Sequence, residues 1–259
     1  MKIIVQNLVT EYEDTGSGDT LLFLHGWGDS FKTFDALISA ISFLDKTSDQ
    51  KKYRLIRLDL PGFGVSEQAK TDWNLNNYVN FIDSFIKKLN LDVSAMIGHS
   101  LGGRIVIKGV AGGIFNPQKI ILIASAGIAK RKTLRNRIFK IIAKMGNLIT
   151  LIPPFLFWRN ALRKKMYSII GSRDYINAGT MRRTFVQIIN EDLSENAKKI
   201  KLPTLLIWGE NDTETPATDG VRLSEMIVNS KIQIFENSNH FVHQEKPKEI
   251  AGLIQDFLK

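Results

Sequence analysis

The sequence predicts an α/β protein, with a mostly parallel sheet flanked by helices and a helical insert late in the chain. Three observations carry this. Over residues 1–128, short apolar runs alternate with segments of helical period. The same alternation resumes at about residue 199 and continues to the end. Between them, residues 129–198 show helical periodicity and no good strand. Strands alternating with helices imply a parallel sheet covered on both faces. The composition is that of an ordinary globular protein, 44% hydrophobic and 24% charged, and 259 residues can bury a substantial core.

The elements follow in order. Ile3 to Tyr12 reads as one or two strands, and Asp14 to Asp19 as a turn rich in residues that tolerate positive φ. Thr20 to Leu24 is a buried strand ending at His25-Gly26. Phe31, Phe34, Leu37, Ile38 and Ile41 repeat at helical spacing. Tyr53 to Leu58 is a strand. Leu75, Tyr78, Val79, Ile82, Phe85, Ile86 and Leu89 form one amphipathic stripe. Val93 to Ile97 is a strand, and Ile105 to Val110 is apolar all round, as in a buried helix. Ile120 to Ala124 is a further strand. After the insert come a strand (Thr204 to Trp208), a helix (Pro216 to Val228), a strand (Lys231 to Phe235) and a helix (Pro247 to Leu258).

Charge is placed unevenly. The net charge is +9, yet residues 129–200 alone hold 16 basic and 4 acidic side chains. The excess therefore belongs to the insert, which argues against a chain-wide nucleic-acid footprint. The absence of cysteine excludes disulfides, a Cys nucleophile and Cys-ligated metal, and fits a reducing compartment. The first residues lack an apolar signal core, so a cytoplasmic location is expected. Met145 to Trp158 carries no charge, but at fourteen residues with Pro153-Pro154 inside it is too short to span a membrane. No nucleotide-binding motif and no metal cluster is present, so no cofactor and no metal is expected.

One motif stands out. Gly98-His99-Ser100-Leu101-Gly102-Gly103 follows a strand and precedes a helix, which is the context that a G-x-S-x-G nucleophile elbow requires. Glycines two before and two after the serine remove side chains that would collide with neighbouring backbone. The helix N-terminus favours negative charge beside the serine hydroxyl. The plainer reading is a glycine-rich helix start with a capping serine.

Here the sequence resembles the α/β-hydrolase superfamily, in particular its lid-bearing serine esterases and carbon–carbon bond hydrolases. The likeness extends over nearly the whole chain. It rests on the elbow, on His25-Gly26-Trp27-Gly28, and on Asp59-Leu60-Pro61-Gly62-Phe63-Gly64-Val65-Ser66. It also rests on Trp208-Gly209-Glu210-Asn211-Asp212-Thr213-Glu214-Thr215-Pro216 and on Asn239-His240-Phe241-Val242-His243. The resemblance implies an eight-stranded sheet with a helical cap after strand six. The core is then residues 1–128 and 199–259, and the cap is residues 129–198.

It also implies roles. Ser100 is the nucleophile and needs a base. Of the four histidines, His240 lies just after the last strand, where the family places that base. His243, three residues on, is expected on a helical turn or facing solvent. His99 reads as structural, and His25 as a brace for the loop that follows it. Asp212 matches G-x-x-D-x-x-x-P and would orient the base, with Glu214 and Glu210 as weaker candidates. Some relatives carry the acid after strand six, but Ser125-Ala126-Gly127 offers no carboxylate. The backbone amides of Trp27 and Leu101 would hold the oxyanion. Phe63 is a candidate substrate contact, with core packing at least as plausible, and Phe155 and Trp158 of the cap are further candidates.

The expected activity is hydrolysis of a small-molecule carboxylic ester through an acyl-enzyme. Thioester, lactone and carbon–carbon cleavage use the same site and stay open, as does a ligand-binding protein on the same scaffold. The basic, apolar cap fits ordinary packing, attraction of an anionic or apolar substrate, or weak contact with an anionic membrane surface. No nucleic-acid partner is expected, and nothing in the sequence fixes the oligomeric state.

Overall fold

The computed structural model describes residues 1–47, 52–128 and 178–259. Eight strands form one sheet: β1 (Lys2–Val5), β2 (Leu8–Gly16), β3 (Asp19–Leu24), β4 (Tyr53–Leu58), β5 (Val93–His99), β6 (Lys119–Ile123), β7 (Thr204–Gly209) and β8 (Ser230–Phe235). Their spatial order is β1-β2-β4-β3-β5-β6-β7-β8. β1 and β2 pair antiparallel, β2 pairs antiparallel with β4, and every later pairing is parallel.

Helices cover both faces, which explains why the central strands read as unbroken apolar runs. Leu21 and Phe23 point to the face covered by α1 (Asp35–Thr47) and by the C-terminal helix Pro247–Leu258. Leu22 and Leu24 point to the opposite face, under α2 (Leu75–Lys88) and α3 (Leu101–Ala111). The expected stripe of α2 is the buried one. Its N-terminus is fixed by a reciprocal cap, in which Asn74 Oδ1 accepts from Asn77 N at 3.1 Å and Asn77 Oδ1 accepts from Asn74 N at 2.9 Å.

One open local reading is resolved and another changes. Ile3 to Tyr12 is two strands, turned at Gln6 and Asn7, which have φ of 47° and 62°. The segment expected as a turn from Asp14 is strand as far as Gly16. Asp14 and Thr15 pair with Ile56 and Leu55, and the Arg54 guanidinium donates to both Asp14 oxygens at 2.9 and 2.6 Å. A bidentate cross-strand pair thus extends the strand through residues with turn propensity. The reversal itself falls to Gly16 and Gly18, at φ of 80° and 112°.

Of the expected cap, residues 129–177 lie outside the described residues, Phe155 and Trp158 among them. The remainder, Ala178 to Lys198, holds a helix (Arg182–Asn190) and a single turn (Ser194–Ala197) packed on the core. Arg104 donates to the Ile188 carbonyl at 2.5 Å and also to Glu191 O, and Thr184 Oγ1 accepts from Trp73 N at 2.8 Å. No described helix is long and apolar enough to cross a membrane.

Two glycines of the fold should respond oppositely to alanine. A Cβ on Gly102 would overlap the Leu24 backbone, whereas one on Gly252, inside the C-terminal helix, meets nothing within 4 Å. Gly102→Ala is expected to lose about 1–3 kcal/mol in denaturant unfolding. Gly252→Ala is expected to gain about 0.5–1 kcal/mol.

Candidate active site

The G-x-S-x-G turn at Ser100 is a close approach of three backbone segments. Ser100 sits at φ 49°, ψ −106°, a conformation that a non-glycine residue holds only under constraint. The constraint is on both sides. A Cβ on Gly98 would strike the Gly102–Gly103 backbone, and one on Gly103 would strike the Ser125 side chain. Gly102 N donates to His25 O at 3.0 Å, and Ser100 N donates to Ile123 O at 3.1 Å. The end of β5 is therefore pinned to the ends of β3 and β6. Because Gly102 is tied to His25, the His25-Gly26-Trp27 loop lies over the first turn of α3. The Leu101 amide, in that first turn, has no intrahelical acceptor.

His25 holds this loop. Its Nδ1 donates to the Gly26 carbonyl at 2.7 Å and its Nε2 accepts from Leu60 N at 2.9 Å. The ring is fully buried, and burial pushes its pKa down, against the Gly26 hydrogen bond and the Asp59 and Asp29 carboxylates. Asp59 in turn accepts from Phe31 N at 2.8 Å and Val65 N at 2.9 Å, which sets the course of the Pro61–Gly64 loop. Phe63 from that loop is buried, and its ring stands edge-on to Trp27 at 4.9 Å and to His25 at 5.7 Å. Phe185 packs on Trp27 at 4.9 Å.

Asp212 and His240 come from the loops after β7 and β8. His240 Nδ1 donates to Asp212 Oδ2 at 2.8 Å, and both side chains are buried. The other carboxylate oxygen accepts from Glu214 N and Thr215 N, each at 2.9 Å. The two loops are locked by Asn211 N donating to Ser238 O at 2.8 Å. Ser100 and His240 line the same cavity, about 830 Å³ in volume, together with Trp27, Phe63, Met181, Glu214 and Phe241. Glu214, the competing acid of the sequence, stands on the other side of the ring, with its Oε2 3.5 Å from His240 Nε2.

The structure adds one residue to the expected set. Thr215 Oγ1 lies 2.8 Å from Asp212 Oδ2, 3.0 Å from the Ala124 carbonyl and 3.2 Å from His240 Nδ1. Its single proton goes to one of the two oxygens, and its lone pair can share the His240 Nδ1 proton. The only sequence signal for it is its place before Pro216 in the Asp212 motif.

The remaining histidines form a stack. His99 lies between His240 and His243, with ring centroids 4.8 and 4.6 Å away, and its Nε2 donates to the His240 carbonyl at 3.1 Å. His243 lies on the helical turn Val242–Glu245, one of the two placements expected from the sequence, and it does not face solvent. It is fully buried, 5.2 Å from the Phe34 ring, with Nε2 3.1 Å from Thr33 Oγ1. The turn Val242–Glu245 faces inward because Val242 and His243 pack against α1 and the helix before it. Burial first, and then the neighbouring rings, hold His99 well below the ordinary imidazole range; burial and His240 push His243 down to about 3.

Comparisons with known proteins show the family. The sequence profile of the Alpha/beta hydrolase family matches residues 21–253. The chain belongs to that family. It is 25% identical to the 2-hydroxy-6-oxononadienedioate/2-hydroxy-6-oxononatrienedioate hydrolase of Paraburkholderia phymatum, over 97% of this chain and 91% of that one. It is 28% identical to the monoacylglycerol lipase ABHD6 of Rattus norvegicus, over 94% of this chain and 76% of the relative. Among solved structures, the meta-cleavage product hydrolase CumD of Pseudomonas fluorescens IP01 superposes with a TM-score of 0.73 at 21% identity, over 99% and 96% of the two chains. The protein is thus a hydrolase of the α/β family acting on a small molecule.

The histidine stack has a consequence for acid stability. An unfolded histidine takes up a proton near 6.5, whereas buried His25, His99 and His243 resist it. The unfolded state therefore binds more protons below pH 6.5, and stability falls as pH falls. For His243 the loss runs from about 6.5 down to about 3. Denaturant unfolding at pH 7, 6, 5 and 4 should show a decline to which each such histidine adds up to about 1.4 kcal/mol per pH unit. His243→Gln should make the decline shallower by about that amount.

Proposed function

We propose that the protein is a cofactor-independent serine hydrolase of carboxylic esters, with Ser100 as nucleophile, His240 as base and Asp212 as its orienting acid. The observation that carries this reading is the Asp212–His240 hydrogen bond at 2.8 Å. It occupies Nδ1 and leaves Nε2 for the cavity that Ser100 lines. The family membership and the lipase relative support it. The insert of residues 129–198 is proposed as a cap over this cavity.

On this reading the ester is cleaved in two steps. His240 Nε2 takes the Ser100 proton as Oγ attacks the ester carbonyl. The carbonyl oxygen gains the negative charge, and the Trp27 and Leu101 amides donate to it. The tetrahedral adduct collapses, the C–O bond to the alcohol breaks, and Nε2–H protonates the departing oxygen. Water, deprotonated by His240, then attacks the acyl-enzyme, and the acid leaves as Ser100 regains its proton. Through this cycle Asp212 fixes the tautomer and stabilises the imidazolium, with Thr215 holding the carboxylate in place.

Carbon–carbon cleavage is the second reading, favoured by the Paraburkholderia relative. That relative's named substrates are dioates, whereas the charged side chains among the described cavity residues are Asp29 and Glu214, with no Lys or Arg. The described wall thus favours an ester without a carboxylate.

Two measurements test the reading. Hydrolysis of a p-nitrophenyl ester series from acetate to palmitate is expected, with Ser100→Ala losing at least about 10⁴-fold in kcat. No turnover of any ester, with Ser100 still labelled by a fluorophosphonate, would shift the assignment to another acyl or carbon–carbon substrate. No labelling would overturn the nucleophile. Thr215→Val is expected to lower kcat about tenfold with KM little changed, the size of one lost hydrogen bond. Thr215→Ser should restore it. Equal loss in Thr215→Ser would make the contribution one of packing.

A further inference from the structure

Glu214 is held where it cannot serve as the orienting acid, yet it stands at the reacting edge of His240. Its backbone amide donates to Asp212 Oδ1 at 2.9 Å, so its Cα is fixed relative to the Asp212–His240 pair. Its carboxylate is 55% exposed, lines the cavity, and lies 3.5 Å from Nε2. Nε2 is the atom that must protonate the departing alcohol. For that transfer the alcohol oxygen has to come within about 3.2 Å of Nε2. Any leaving oxygen therefore passes within about 7 Å of the Glu214 carboxylate. The acyl carbon is on the Ser100 side, so the alcohol portion is the part of the substrate that meets Glu214.

From this placement we propose that Glu214 selects the alcohol portion of the substrate. It favours alcohols bearing a hydrogen-bond donor close to the ester oxygen, a second hydroxyl or an ammonium group, and rejects alcohols bearing a carboxylate or phosphate there. The proposal rests on the ester-hydrolase reading above. A hydroxyl or ammonium within reach gives a charge-assisted hydrogen bond to the carboxylate. An anionic substituent at a similar distance meets like charge in a partly desolvated cavity, worth about 3- to 30-fold in rate at effective dielectrics between water and protein surface. Asp29, the other charged group of the described wall, has the same sign and adds to the rejection.

The test uses butyrate esters that differ only in the alcohol: ethyl butyrate, glycerol 1-monobutyrate, butyrylcholine and O-butyrylglycolate. kcat/KM is measured for each with the native protein and with Glu214→Gln. The attraction of Glu214 for the imidazolium is common to all four substrates and cancels in ratios to ethyl butyrate. In the native protein the glycolate ester should be the poorest substrate. In Glu214→Gln its ratio to ethyl butyrate should rise about 3- to 30-fold, and the choline and glycerol ratios should fall. The native glycolate-to-choline ratio should also move toward one as ionic strength rises. Ratios that stay within about twofold between the two proteins would overturn the proposal while leaving the hydrolase reading intact. If the native protein turns over none of the four, the ester reading fails and this proposal fails with it.

Discussion

The site depends on how closely the backbone of β5 and α3 can approach its neighbours. Ser100 lines the cavity and is held at positive φ between Gly98 and Gly102, where the turn closes only because neither position carries a Cβ, which would strike neighbouring backbone. Gly102 has to be bare for a second reason. Its amide bonds to the His25 carbonyl, and that bond carries the Trp27 loop to the N-terminus of α3. A single contact thus fixes both the proposed nucleophile and the two amides proposed to stabilise its oxyanion. The helix-terminal field and the serine are aligned by covalent geometry, with no reorganisation left for the reaction to supply.

Behind the site, polarity is managed by keeping histidines neutral. His25, His99 and His243 are buried with little or no exposure, and each is hydrogen-bonded to neutral partners. His99 also packs its tilted ring 4.8 Å from the His240 ring and anchors the His240 backbone carbonyl through Nε2. An apolar side chain at position 99 could pack there but could not donate to that carbonyl. The cost of this arrangement falls at acidic pH, where the unfolded chain gains protons that the native stack refuses.

The parallel core was legible because buried strands and amphipathic helices leave distinct periods. β3 to β8 and the stripe of α2 lie where those periods put them. The elbow was legible because close backbone approach demands glycine at fixed spacing. The errors came where side-chain pairing overrode local preference. The Arg54–Asp14 pair carries β2 into a turn-like sequence, and the burial of His243 is set by Thr33 and Phe34 from a distant segment. Neither partner can be inferred from the sequence near the residue it controls. Thr215 was hidden for the same reason, since its placement depends on meeting Ala124, 91 residues earlier in the chain.

The loop after β7 then shows how one short segment divides labour by backbone geometry. Asp212 turns its carboxylate inward to Nδ1 and accepts the amides of Glu214 and Thr215 on its other oxygen. Those amide bonds form an acid-centred turn, and the turn fixes where the next side chains go. Thr215 is directed back under the ring, to the carboxylate and the end of β6, while Glu214 is directed around the ring toward Nε2 and the cavity. Consecutive residues therefore hold opposite edges of one imidazole. The inner edge is closed, buried and shared among Asp212 and Thr215, which suits the orientation of a base. The outer edge faces the cavity beside a half-exposed carboxylate, which suits the proposed sorting of whatever departs from it. Exchanging the two residue types would bring a second carboxylate to the buried edge, where like charges at short range disfavour ionisation. The order Asp-x-Glu-Thr is then a requirement of the turn as much as of the chemistry.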